Sequence, residues 1–253
     1  MTVHFDCTMC GKCCHDLKLP LSVDEALVWA EKGHPIKLLV EALPWTGPPA
    51  ENDGKAIHDY GRTFPEMCGD IPIRVAVLLV AWHQGACPYL LPDMRCGQYA
   101  VRPRVCRIYP LMARPFETLE PAKRLCPPEA WSADLPVLMI NGEATDPQSA
   151  QTLADHRHAM IADVPRLRAL CSLLGWSRAG FANEGFAVMT LDPARLAKAL
   201  RCAGENRAAM SGMRNWTYVT NRQSTLAMLQ AADCDAQLVS QDDGYLGSFP
   251  PER

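Results

Sequence analysis

The chain has 253 residues, 48% of them apolar, and a formal net charge of −3. That length allows one large domain or two small ones with a real core, and the near-neutral balance leaves no electrostatic footprint for nucleic acid or an anionic membrane. The opening MTVHFDC lacks the basic and apolar regions of a signal peptide, and the longest apolar run, Val75–Trp82, is too short to span a bilayer; the expected location is cytoplasmic.

From the N-terminus, CTMCGKCC (Cys7–Cys14) predicts a loop carrying Cys7, Cys10 and Cys13 at C-x2-C-x2-C spacing, with Gly11 supplying a positive φ. Ser22–Glu25 (SVDE) is a capping box. It predicts a helix with Val23, Ala26, Leu27 and Ala30 on one face and Gly33 as its stop. Trp45–Gly54, rich in Pro and Gly, predicts a loop, and Ile73–Trp82, β-branched and apolar, a buried strand.

Leu125–Pro136 is the expected boundary, dividing a cysteine-cluster metal-binding domain (1–130) from a mixed, mostly helical region (131–253). There the patterns predict helices over 148–161 and 164–176, closed by Gly175, then a strand over 184–190. Asp192-Pro193 opens a helix to Gly204, and another spans 223–233. The tail from Asp242 reads as irregular. Helices and strands without βαβ regularity predict the α+β class.

Twelve cysteines in a reducing compartment read as metal ligands before disulfides. Nine lie in the first 126 residues, while Cys171, Cys202 and Cys234 stand singly and read as small buried hydrophobes. The three-thiol loop suits two metals. C-x2-C-x2-C with a remote cysteine ahead of proline is a ferredoxin-like iron–sulfur ligand pattern; Cys87-Pro88 and Cys126-Pro127 both offer that step. Four thiolates equally make a closed zinc site. Cys14, beside Cys13, points elsewhere in an extended chain, and so implies a multimetal cluster, two nearby sites or a buried thiol.

The opening cluster, together with Gly85–Leu111 (GACPYLLPDMRCGQYAVRPRVCRIYPL) and Leu125-Cys126-Pro127, resembles the YkgJ-type cysteine-cluster family over roughly residues 5–128. Cys96, Tyr99, Arg102, Pro103, Cys106, Arg107 and Pro110 match its central pattern, and Cys126 its last cysteine. The resemblance implies zinc or iron chelation, with Cys7, Cys10, Cys13, Cys14, Cys87, Cys96, Cys106 and Cys126 as ligands. Those eight suffice for two four-thiolate sites or for one cluster with spares.

Cys68 falls outside the pattern, as a spare ligand or a buried thiol. Arg102 and Arg107 read as cations offsetting thiolate charge, or as a solvated edge paired to Glu117 or Glu120. Tyr99 reads as a packed ring, His15 as a candidate fourth ligand of a Cys3His set, and His156 and His158 as surface side chains.

There is no P-loop, no dinucleotide loop and no radical-SAM spacing. A flagellin lysine methylase is similar in its cysteine signature, yet nothing in 130–253 resembles a methyl-donor site. Three functions follow: an iron or iron–sulfur protein with a redox role and a protein partner or substrate; a structural zinc module; and a metal-dependent protein-modifying enzyme. Zinc-ribbon-like nucleic-acid binding ranks last, since the only basic concentration is Arg102–Arg107 with Arg114.

Overall fold

The computed structural model describes residues 1–45, 47–205, 212–240 and 243–252. The elements begin with β1 (Thr2–His4), β2 (Lys18–Leu21), α1 (Val23–Glu31), β3 (Ile36–Pro44), α2 (Gly54–Gly61), β4 (Phe64–Cys68) and β5 (Ile71–Trp82). They continue through α3 (Arg104–Ile108), β6 (Val137–Ile140), β7 (Glu143–Ala144), α4 (Pro147–Ala162) and α5 (Val164–Leu173). The last are β8 (Arg178–Phe181), β9 (Gly185–Thr190), α6 (Pro193–Glu205), β10 (Thr217–Thr220), α7 (Gln223–Ala231), β11 (Ala236–Leu238) and β12 (Tyr245–Gly247). Helix and sheet together make the fold α+β.

The chain forms two compact units, neither continuous in sequence: Met1–Leu21 with Ala81–Ala159, and Ser22–Val80 with Met160–Arg253. The Leu125–Pro136 stretch lies inside the first. Residues 131–253 interleave helices α4 to α7 with strands β6 to β12.

The first unit has little apolar material. Its small antiparallel sheet, β1-β6-β7, pairs Val3 with Met139, and these two join Leu111 and Leu119 in a compact core backed by Trp131 and Leu138. Helix α4 is tied to the 107–113 segment by polar contacts. Arg107 Nη2 donates to Thr152 Oγ1 at 2.9 Å, and Arg157 donates to the carbonyls of Met112 and Ala113 at 3.2 and 3.1 Å. His156, expected at the surface, is buried; His158 is exposed. Two positions apart on a helix they face apart, and the His156 side of α4 is the inward one.

The second unit holds the larger core. Strands β3, β8, β10 and β11 run parallel, β9 lies antiparallel on β3, and β4 pairs with β5. Leu38, Val40, Ile73, Val75 and Leu79 are buried along β3 and β5. Helices α1 and α5 both pack on α6, which buries Leu196, Ala197, Leu200 and Ala203 at helical spacing.

The capping box at Ser22 forms: its hydroxyl accepts the Glu25 amide, and Glu25 accepts the Ser22 amide at 3.0 Å. Asp163 adds a carboxylate to the same helix start, accepting the Val23 amide at 2.7 Å. Trp29, rather than Leu27, completes the buried face of α1. At the β8–β9 turn, a Cβ on Gly180 would stand 2.1 Å from the Gly185 carbonyl oxygen, so only glycine allows the approach.

The tail departs from expectation. Asp242 lies outside the described residues, but Tyr245–Gly247 forms β12 against β9, with Tyr245 buried. The pairing partner is distant in sequence, which local composition does not reveal.

Glu66 is fully buried in β4 and compensated: its carboxylate accepts Arg168 Nε at 2.8 Å and the Arg214 amide. Removing one partner of such a pair strands the other. Glu66→Ala is expected to cost about 3 kcal/mol, seen as a thermal midpoint lower by about 6–12 °C; a fall under about 2 °C would show the pair to be dispensable.

Candidate metal centre

The cysteine loop is shaped by one glycine. Gly11 sits at φ 68°, and its carbonyl accepts the Cys14 amide at 2.8 Å, closing a single 3-10 turn over Lys12–Cys14. His15 Nδ1 lies 3.0 Å from the same oxygen. That contact occupies the nitrogen, and the ring faces the Cys14 thiol electrostatically.

From Cys14 onward the chain runs antiparallel to the stretch after β5. The Cys87 amide donates to the Cys14 carbonyl at 2.7 Å, Asp16 and Gly85 exchange two bonds of 2.8 Å, and the His83 amide reaches the Leu17 carbonyl at 3.0 Å. Cys87 is thereby set beside Cys14.

The segment then folds back on itself: the Leu91 amide donates to the Arg95 carbonyl at 2.9 Å and the Gly97 amide to the Tyr89 carbonyl at 2.8 Å. An antiparallel bridge pairs Leu90 with Cys96. Pro103 then starts α3, its carbonyl accepting the Cys106 amide at 2.9 Å, and the helix carries Cys106.

A second convergence joins the chain start to the segment after Pro110. The Phe5 and Asp6 amides donate to the carbonyls of Pro136 and Ala130 at 3.0 and 3.1 Å, and the Phe5 and Trp131 rings meet at 4.8 Å. The Leu125 amide donates to the Tyr109 hydroxyl at 3.1 Å, and that hydroxyl also hydrogen-bonds the Cys126 thiol.

Electrostatics sort the thiols into two neighbourhoods. Cys106 is pushed up to about 12 by burial first, then by Cys14, Cys87 and Cys96, with Arg102 opposing. Cys87 is raised by burial and by Cys14 and Cys96. In the other neighbourhood Cys126 is raised by burial, against the Tyr109 hydrogen bond, and further by Cys10 and Cys7.

Cys13 and Cys14 form the seam. A hydrogen bond between their side chains holds Cys13 far up and Cys14 down to about 6. Cys126 and Cys7 raise Cys13 further.

All eight candidate thiols are free, and so are the other four cysteines. Among the described residues no three His, Cys, Asp or Glu side chains already stand in a coordination polyhedron. Metal binding displaces thiol protons and is coupled to the placement of the ligands. In donor type and number the residues fit a thiophilic ion: soft sulfur ligands select zinc and iron–sulfur clusters.

Cys68 is not among them. It belongs to the second unit, buried against Cys234 and the Asp235 carbonyl, and is raised to about 12 by that burial. Cys171 is buried in α5 and Cys202 half-buried in α6.

The flanking residues divide. Arg102 is coupled to Cys14 and Cys106. Arg107 reaches Thr152 instead, while Glu117 pairs with Arg114 and Glu120 with Lys123. Tyr99, expected to pack, is 64% exposed, with the Arg102 guanidinium 3.6 Å over its ring. Sequence reasoning passed over Tyr109, whose contact with Cys126 depends on the chain returning after Pro110.

Residues 6–127 match the family model described as "CxxCxxCC: Putative zinc- or iron-chelating domain". This segment belongs to that family. No curated protein and no solved structure matches the chain. The CxxCxxCC segment spans both neighbourhoods of thiols and includes all of α3. Among the described residues no helix is long and apolar enough to cross a membrane.

The Tyr109 hydroxyl hydrogen-bonds the Cys126 thiol, a candidate ligand. Tyr109→Phe is expected to weaken zinc retention about tenfold, as outer partners of metal ligands commonly do. Competition with a chromophoric chelator measures this, and unchanged affinity would leave the hydroxyl a structural group only.

Proposed function

We propose that the protein is a thiolate-ligated iron protein, holding iron or an iron–sulfur cluster and exchanging electrons with a protein partner. One observation carries the reading. Of the two remote Cys-Pro steps, it is Cys126-Pro127 whose thiol is coupled to Cys7, Cys10 and Cys13. Loop and step together make the C-x2-C-x2-C…C-P ligand pattern of iron–sulfur proteins. When bound, such a cluster supplies one-electron chemistry at a potential set by nearby charge and hydrogen bonds.

The chain's own residues suit that task. Cys7, Cys10, Cys13 and Cys126 would hold the group, the Tyr109 hydroxyl would donate to a ligand sulfur, and Arg124 would offset thiolate charge beside Cys126. Exposed apolar side chains occupy the same loops: Met9, Leu91, Met94, Tyr99 and Val101. These would be covered when a partner approaches within electron-transfer range.

A second reading rests on a different observation. From Trp82 to Arg107 no residue is buried. A stretch with no core of its own gains most from a structural ion, and four-thiolate zinc supplies folding energy directly.

Oxygen-free purification separates the two. Brown protein absorbing at about 400 nm, with iron and acid-labile sulfide in similar amounts, is expected. Colourless protein saturated with zinc and indifferent to reductant would reject the iron reading. Cys10→Ser is expected to lose metal and to lower the melting of the first unit, because site formation and folding are coupled. Full metal content with normal melting in that variant would remove Cys10 from the ligands.

A further inference from the structure

Strand β10 ends at Thr220 between β8 and β11, both parallel to it, and Asn221 and Arg222 lead directly into α7. The carboxyl edge of parallel strands is where open α/β sheets take their ligands. The second unit lays its own segment Ser248–Glu252 across that edge.

The Ser248 amide donates to the Glu184 carbonyl at 2.7 Å, Asn221 Nδ2 to the Phe249 carbonyl at 3.2 Å, and the Glu252 amide to the Asn221 carbonyl at 3.3 Å. The Glu252 carboxylate then accepts the Ser224 amide at 2.8 Å, the Ser224 hydroxyl at 2.7 Å and the Arg222 guanidinium. A guanidinium, a hydroxyl and a first-turn helix amide converging on one carboxylate form an anion receptor. The Arg222 guanidinium also stands 5.5 Å from the centre of the Phe249 ring.

Two features mark the segment as a replaceable occupant. Ser248, Phe249, Pro250 and Pro251 are exposed and Glu252 is half-buried, so hydrogen bonds rather than packing hold it, and such segments open at low cost. The segment also leaves the site unfinished. Asn221 is only 3% exposed, yet its Oδ1 has no hydrogen-bond partner among the described residues. The same carboxamide gives its Nδ2 to Phe249 and therefore faces the underside of the segment. In an extended chain the N–H two positions after a carbonyl faces the same edge. Here that position is Pro251, which has no N–H. A buried acceptor left unmet is a standing cost that a better-matched occupant removes.

We propose that the β10–α7 junction is a peptide-binding site, closed in this chain by its own Ser248–Glu252 segment. The partner it fits is an extended acidic segment of another protein, with an aromatic residue three positions before a glutamate and an N–H-bearing residue in place of Pro251. The glutamate meets Ser224 and Arg222, the aromatic ring lies beside Arg222, and the added N–H completes Asn221. The site lies wholly within the second unit and is independent of the cysteines and of any metal.

Fluorescence anisotropy of a labelled, amidated Ser-Phe-Pro-Ala-Glu peptide on the full chain tests the proposal. Glu252→Ala is expected to bind this peptide about tenfold more tightly than the wild type, because the covering segment has lost its anchor. On that variant a Ser-Phe-Pro-Pro-Glu peptide is expected to bind about fivefold less tightly, for want of the N–H. A peptide ending in glutamine is expected to bind about tenfold less tightly, for want of the charge. In the wild type, saturating peptide is expected to speed amide hydrogen exchange at Ser248 and Glu252. No binding to Glu252→Ala at an unchanged thermal midpoint, or unchanged exchange in the wild type, would overturn the proposal and leave Glu252 a helix cap. Equal affinity for the diproline and alanine peptides, or for the glutamine and glutamate ones, would reject the partner chemistry. A wild-type dimer that the peptide dissociates would assign the site to a second copy of this chain and equally reject it.

Discussion

Between Trp82 and Arg107 the chain makes a long excursion in which no residue is fully buried. A folded segment normally holds its course because leaving it would expose apolar surface; here that force is missing. What fixes the path instead is backbone hydrogen bonding to the Cys14–Leu17 stretch and a set of thiols that perturb one another. Sulfur atoms at that density are costly as neighbours once ionised, since each thiolate raises the next. A bound cation reverses the sign of that interaction, which makes the thiol crowding intelligible.

The second unit is built on the opposite plan. Its parallel strands, the α1–α5–α6 layer and the Glu66–Arg168 pair form an extensive core. Three of its four cysteines, Cys68, Cys171 and Cys234, are sealed in that core as small apolar groups, and Cys202 is half-buried. The same residue type thus plays two roles, distinguished by how many thiols share a neighbourhood. On the proposed reading, the first unit carries the chemistry, while the second is a scaffold whose own task lies outside the cysteine signature.

Much of the local structure was legible. The SVDE capping box, the Asp192-Pro193 helix start and the β-branched run of β5 are short-range signals, with causes within a few residues of the effect. The misreadings were all long-range. His156 is buried because that side of α4 is the inward one, β12 exists because β9 offers an edge, and Tyr99 stays exposed because the loop around it has no core to pack into. Strands β3, β8 and β10 were passed over for the same reason, each being stabilised by partners far along the chain.

The sequence by itself determined which atoms are available: eight thiols at the spacings of a segment that matches the zinc- or iron-chelating family model. It could not determine their grouping. Two Cys-Pro steps are equivalent as letters, and only the chain's return after Pro110 brings Cys126, rather than Cys87, to the three-thiol loop. Likewise only the tertiary hydrogen bond from the Cys87 amide to the Cys14 carbonyl sets Cys87 beside the doubled cysteine. Spacing governs what residues a few positions apart can reach together; which distant segments meet is decided by backbone pairing and packing, and these belong to the folded chain as a whole.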